Sequence, residues 1–172
     1  MLKFIGAALV VTACGLAGSM VAVNYDRRPK QLRALIGAIQ ALETEITYAA
    51  TPLPDAWERV GRQTALPVGA IFTRAREVLA SRDGCSAAEA WRKGLEDSFQ
   101  ETALTRQDLE VLLELGNCLG VSYRDDQVKH LRLTKENLRQ QEVAAQEEAA
   151  RQVKTWRYFG VLGGLVVALL LY

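Results

Sequence analysis

The chain has 172 residues, 24% of them charged, and a formal net charge of +1 at neutral pH. A nearly neutral chain without a basic stripe excludes the usual kind of nucleic-acid-binding protein. The three cysteines (Cys14, Cys85 and Cys118) fit no metal or redox spacing, and their odd number predicts free thiols in a reducing compartment. Between two apolar ends lies a middle region of roughly 130 residues, which suits one domain with one core.

Residues 4–23 contain no charged side chain and are about as long as a helix that crosses the hydrocarbon core of a bilayer. A cleaved signal peptide is the alternative. However, the only charged side chain before this run is Lys3, the run is long, and residues 20–25 (MVAVNY) are a poor cleavage site. The sequence therefore predicts an N-terminal transmembrane helix over residues 1–24.

Apolar residues recur every three or four positions through most of the middle region, and no stretch alternates at a period of two. Pro29 opens the first segment, whose apolar stripe extends to about Ala50. Thr51-Pro52 and Pro67 open the second and third segments. This periodicity predicts an all-α fold, a helical bundle.

Two further helix starts have the sequence of a capping box. Ser86 is followed by Glu89, and Thr105 is followed by Asp108. The helix that begins at Thr105 is predicted to close at Gly120. Two tryptophans lie on apolar helix faces and are predicted to be in the core: Trp57 and Trp91.

A single long helix is predicted at the C-terminal end, because no proline or glycine occurs from about Arg124 until Gly160. A heptad-like seam on this helix grows more polar along the chain, so its later part is expected to extend beyond the bundle as a stalk. The seam consists of Val128, Leu131, Lys135, Leu138 and Glu142. The helix continues into apolar residues 158–172, a short membrane span of about 22 Å at the usual helical rise.

Basic residues lie just inside each apolar segment, and few lie outside. The inner ones are Arg27, Arg28, Lys30 and Arg33 at one end and Arg151, Lys154 and Arg157 at the other. By the positive-inside rule, residues 25–157 form a cytoplasmic domain and both chain ends lie across the membrane. The predicted organisation is thus a transmembrane helix (1–24), a cytoplasmic helical-bundle domain (25–157) and a second transmembrane helix (158–172).

The sequence contains little that suggests catalysis. It has no glycine-rich phosphate loop, and its one histidine, His130, has no second histidine with which to share a metal. Glu43 and Glu45 are two residues apart on a helix, so they point to different faces and do not form a carboxylate pair. We therefore predict a non-enzymatic protein with no catalytic, metal or cofactor site.

Residues 89–114 carry more acidic than basic side chains. The acidic candidates for contact with a partner are Glu96, Asp97, Glu101 and Glu110. A solvated helix face is one interpretation. The other is a docking surface for a basic partner, with electrostatic attraction that speeds the encounter.

Small residues in the apolar ends permit close helix packing in a membrane. Gly160 and Gly164 form a GxxxG pattern, and Gly15 and Ser19 form a second pair of small residues at the same spacing. Glycine is also common in membrane helices without specific packing, so both interpretations remain open.

An ordered set of residues across the whole chain resembles the stage III sporulation protein AB family. The set comprises residues 28–32 (RPKQL), Leu42, Glu43, Glu45, Ile46, Tyr48, residues 51–53 (TPL), Ala56, Ala90, Trp91, Leu119, Gly120, Gln127, residues 131–134 (LRLT), Gly160, Gly163 and Leu165. The resemblance implies a component of the channel between mother cell and forespore. It also implies a soluble domain similar to the helical cytoplasmic domains of type II secretion and type IV pilus platform proteins.

From this resemblance we expect a scaffold in the mother-cell membrane around the forespore, required for sporulation. Its expected partners are the membrane, a cytoplasmic secretion-type ATPase and other channel subunits. A further copy of the chain is another candidate partner. One alternative is a platform subunit of an ordinary type II secretion or type IV pilus-like system. Another is a membrane-anchored enzyme or ligand sensor with a pocket between its helices.

Overall fold

The computed structural model describes residues 26–81, 84–120 and 124–171, with the side chains of Arg124 and of residues 153–171 outside the description. The described residues form α-helices and one π-helix and contain no strand, which confirms the all-α class. In chain order the elements are α1 (Arg27–Thr44), the π-helix π1 (Glu45–Ala49), α2 (Leu53–Gln63), α3 (Val68–Ala80), α4 (Ala87–Phe99), α5 (Arg106–Gly116) and α6 (Arg124–Leu171).

The chain divides into two compact units. One is Lys30–Val143, and the other combines Met1–Pro29 with Ala144–Tyr172. The predicted span at residues 4–23 lies outside the described residues. Within the described part of the chain, no helix has an apolar stretch long enough to cross a membrane. The single C-terminal helix is present as α6, whereas its later part as a stalk stays a prediction.

The core of the unit Lys30–Val143 is built around three aromatic rings. Trp57 stacks on Trp91 with ring centroids 5.7 Å apart, and Phe72 meets Trp91 edge-on at 5.2 Å. The indole nitrogen of Trp91 donates a hydrogen bond of 2.7 Å to the carbonyl oxygen of Leu112. Both tryptophans are fully buried, as predicted, and their rings connect helices α2 to α5.

Both predicted capping boxes are present. The Ser86 backbone N–H donates to the Glu89 carboxylate at 2.9 Å, and the Thr105 N–H donates to the Asp108 carboxylate at 2.8 Å. Each cap satisfies backbone groups that a helix start leaves without partners, which fixes where α4 and α5 begin. The predicted end of α5 at Gly120 is wrong. The α-helix ends at Gly116, and a turn follows to Gly120.

The first segment is helical to Ala49, close to its predicted end at about Ala50, but its last part is a π-helix. Its α-helical part stops at Thr44 and widens into π1, after which Ala50 adopts a left-handed conformation with φ of 48°. The Thr44 hydroxyl donates to the Gln40 carbonyl oxygen at 3.0 Å, a side-chain bond that competes with the regular helical pattern. The apolar stripe nevertheless continues into π1, because Ile46 remains buried.

Helices α1 and α6 are joined by an ion-pair cluster around Glu43, whose side chain is only 9% exposed. Its carboxylate accepts hydrogen bonds from Arg132 Nε at 2.7 Å and Lys135 Nζ at 3.1 Å. Farther along the same two helices, Arg33 pairs with Glu142 at 2.8 Å. Two polar positions of the predicted α6 seam, Lys135 and Glu142, thus form ion pairs with α1.

The cluster lowers the pKa of Glu43. Burial of the carboxyl raises the pKa, but the hydrogen bonds and positive charges of Arg132 and Lys135 outweigh that effect. The folded-state pKa therefore lies below the ordinary value of 4.5. In the folded protein the deprotonated carboxylate is the stabilising form.

Close contact between α3 and α4 requires glycine at position 94. An alanine Cβ there would lie 2.7 Å from the Ala75 nitrogen and 2.8 Å from the Ile71 oxygen. Because these are backbone atoms, the two helices would have to separate, and we expect Gly94→Ala to lower the free energy of unfolding by about 1–3 kcal/mol. Urea unfolding of the full-length chain, followed by circular dichroism, measures this loss.

The matched control is Gly37→Ala, because a Cβ at position 37 meets nothing within 4 Å. Alanine is the better helix former, so this variant should be as stable as the parent or up to about 1 kcal/mol more stable. Equal effects of the two substitutions would contradict the close approach of α3 and α4.

Glu43→Gln tests the ion-pair cluster through its pH dependence. We expect a loss of about 1–2 kcal/mol of stability at pH 7, because charge-assisted hydrogen bonds are lost while the partly exposed cations stay hydrated. The parent's advantage should be full above about pH 4.5 and shrink as the pH falls through the folded-state pKa. Unfolding curves from pH 7 to 3 measure it, with the exposed Glu136→Gln as control. A difference between Glu43→Gln and the parent that does not change with pH would refute the role of the carboxylate charge.

Candidate interaction surfaces

The predicted acidic surface lies on two helices and a turn. Glu96 and Asp97 are exposed on the last part of α4, Glu101 is in the turn that follows, and Glu110 is exposed on α5. Arg74 of α3 pairs with the Glu101 carboxylate at 2.6 Å and donates to the Asp97 carbonyl oxygen at 2.7 Å. The charge of Glu101 is thus compensated within the fold, which the sequence did not indicate.

The small residues proposed for membrane packing are not tested by the structure. Gly160 and Gly164 belong to α6 in the range whose surroundings are not described, and Gly15 and Ser19 lie outside the described residues. Their packing stays a prediction.

The structure contains a second candidate surface, which the sequence analysis missed. A cavity of about 510 Å³ opens between π1 and the first turns of α6, and we call it the π1 groove. Its lining residues are Thr47, Asp125, Val128, Lys129, Arg132 and Leu133. Two large side chains at this place are unusually accessible, since Tyr48 is 84% and Leu133 is 52% exposed.

The electrostatics of the π1 groove centre on Arg132. Its Nε donates to buried Glu43, yet the side chain as a whole is 66% exposed. The hydrogen bond and the charge of Glu43 raise the pKa of Arg132, with a smaller contribution from the Tyr48 phenol group. Tyr48 directly follows Thr47 of the groove lining in π1, and its side chain is exposed.

The two glutamates on either side of Thr44 serve different sites. Glu43 faces α6, whereas the Glu45 carboxylate accepts hydrogen bonds from Thr51 at 2.6 Å and Arg59 at 3.3 Å. Their carboxylates thus contact different residues, in agreement with the expectation that the two side chains point to different faces. The sequence does contain a signal for the buried ion pair, because Glu43 falls on the apolar stripe between Ile39 and Ile46.

The described residues offer little catalytic chemistry. They contain no group of three histidine, cysteine or acidic side chains able to hold a metal ion. Burial, together with the negative charge of Asp126, raises the pKa of the Cys118 thiol, so the reactive thiolate form is disfavoured.

Comparison with known proteins gives a consistent result. The family model for stage III sporulation protein AB matches residues 3–172. The stage III sporulation protein AB of Bacillus subtilis (strain 168) is 36% identical over 171 residues, which cover 99% of each chain. A solved structure titled stage III sporulation protein AB (SpoIIIAB) has a TM-score of 0.67 and 34% identity, and the match covers 72% of this chain and 97% of that one. The chain therefore belongs to the stage III sporulation protein AB family, as its ordered residue pattern indicated.

Proposed function

We propose that this sporulation-family protein is a non-enzymatic platform subunit of a secretion-like channel in the mother-cell membrane around the forespore. Its terminal apolar segments anchor it, and residues 25–157 lie in the cytoplasm. There it docks a secretion-type ATPase and other channel subunits.

One ion pair supports the proposed anchoring more than any other observation. In the unit formed by Met1–Pro29 and Ala144–Tyr172, Arg28 Nη1 lies 3.8 Å from Glu148 Oε2. Arg28 follows the apolar residues 4–23 closely, and Glu148 precedes the apolar residues 158–172 by about three helical turns. Since the contact lies on the inner side of both segments, it suits two spans that enter the membrane from the same side.

The charge pattern supports the same orientation. Arg27 and Lys30 are exposed at the start of α1, next to Arg28. Basic side chains close to an apolar segment favour the cytoplasmic side and attract anionic lipid headgroups. The proposed orientation therefore rests on two observations that agree: the basic residues next to the apolar segments and the ion pair between Arg28 and Glu148.

For the ATPase, the exposed carboxylates of Glu96 and Asp97 are the best candidate contact. Arg74 compensates Glu101, so the charge most available to a basic partner is on the last turns of α4. Rim charges of this kind act mainly on the rate of association. The proposed contact is thus a steering surface, with the rest of the interface elsewhere.

Reporter fusions test the topology. An alkaline phosphatase fused after Tyr172 should be active, because the enzyme works only outside the cytoplasm. The same reporter inserted at Gly84 should be inactive, and this site suits an insertion because Gly84 is exposed in the connection between α3 and α4. A reversed activity pattern would place the domain across the membrane and exclude the cytoplasmic ATPase as its partner.

Charge reversal tests the acidic surface. Glu96→Lys/Asp97→Lys in the full-length chain should slow association with the ATPase about tenfold at low salt and much less at high salt. Stability should change by less than about 0.5 kcal/mol per substitution, because both sites are exposed. Surface plasmon resonance at two ionic strengths measures the rates.

The control is Glu77→Lys/Glu147→Lys, which makes the same charge change at exposed positions outside the acidic surface. If both double variants slow association equally, only net charge matters. In that case the acidic surface is a solvated helix face and not a docking surface.

A further inference from the structure

The π1 groove combines a cavity with exposed apolar groups and a positive rim. Its volume of about 510 Å³ accommodates several side chains, and Leu133 and Tyr48 remain largely exposed beside it. Large exposed apolar side chains beside a cavity are typical of places where another molecule binds. Since the groove is open along the surface of α6, it suits a segment of chain better than an enclosed small molecule.

The charges of the groove indicate what kind of segment fits. Lys129 and Arg132 are three residues apart and therefore lie on one face of α6. Both line the groove, and the Arg132 side chain remains 66% exposed while its Nε donates to Glu43. Such a pair of cations binds a carboxylate well, and the arginine fork adds directional hydrogen bonds.

Asp125 determines the order of charges along the groove, and thereby the orientation of a bound segment. It lines the groove one turn before Lys129, so α6 presents a negative charge first and two positive charges afterwards. The apolar side chains of Val128 and Leu133 lie in the same lining. The complementary segment therefore carries an apolar side chain and, beside it, a carboxylate that faces Lys129 and Arg132.

The backbone at this place is itself unusual. A π-helix is rare and often occurs at functional sites. It is followed by Ala50 at φ of 48°, a conformation that non-glycine residues seldom adopt. The Thr47 hydroxyl, in the groove lining, has no hydrogen-bond partner among the described residues.

We propose that the π1 groove is a docking site for a segment of another protein that carries an acidic side chain next to an aliphatic or aromatic one. This inference rests on the proposed scaffold function and adds a binding surface separate from the acidic one on α4. The groove is positive where the α4 surface is negative, so the two surfaces select partners of opposite charge.

Photocrosslinking in sporulating cells tests the proposal with the full-length chain. The photoreactive residue p-benzoylphenylalanine is placed at position 48, or at position 66 as control, because Leu66 is 81% exposed but does not line the groove. Crosslinking from position 48 should yield an adduct with a different protein. The adduct should fall at least tenfold with Lys129→Glu and with Leu133→Asp.

Matched controls make the same chemical changes elsewhere. Arg139→Glu reverses an exposed charge on the same helix, and Leu66→Asp replaces another exposed leucine. Neither control should alter the amount of adduct or the number of heat-resistant spores. The two groove variants should reduce the number of spores at least tenfold. Their protein level and melting temperature should equal those of the parent, which shows that they fold. Lys129→Gln serves as a milder variant if Lys129→Glu unfolds.

Several results would overturn the proposal. One is an adduct with twice the mass of this chain, which would assign the groove to a second copy. Others are crosslinking to lipid alone, or adduct and spore numbers that do not change in the groove variants. The phosphatase fusions report topology and are independent of the crosslinked adduct and the spore number. An inverted topology together with an adduct that depends on Lys129 and Leu133 would refute the proposed orientation of the scaffold but would leave the proposed docking site standing.

Discussion

Glu43 connects the first and last helices of the fold. Its nearly buried carboxylate is held by Arg132 and Lys135, and a buried acid without such partners would be strongly unfavourable. Because the partners are 89 and 92 residues away in sequence, this one cluster holds the first helix, α1, against the last, α6. It also fixes the position of Arg132 at the rim of the π1 groove, so the groove depends on the same interaction.

The remaining helices are held by a different kind of contact. Trp57, Phe72 and Trp91 pack ring against ring, and Gly94 lets α3 and α4 approach until backbone meets backbone. Such packing leaves the outer faces of α4 and α5 to charged residues. The acidic surface and the π1 groove are therefore built on separate structural supports.

Much of the fold was predictable from local rules. Apolar periodicity gave the helices, and the capping sequences at Ser86 and Thr105 gave two of their starts, since these signals act within a few residues. The end of α5 was misplaced because Gly120 closes a turn rather than the helix itself. For the candidate sites, the exposure of Glu96 and Asp97 was predictable, whereas the pairing of Glu101 with Arg74 was not.

The sequence by itself determined the all-α class, the tryptophan core and the family, because periodicity, caps and an ordered residue pattern are local or additive features. Only the tertiary structure decided that Glu43 is an ion-pair centre, that α1 widens into π1, and that Thr47 and Leu133 line one groove. The physical reason is distance along the chain. Contacts across 80 or 90 residues depend on how the helices pack, and no short pattern encodes that packing.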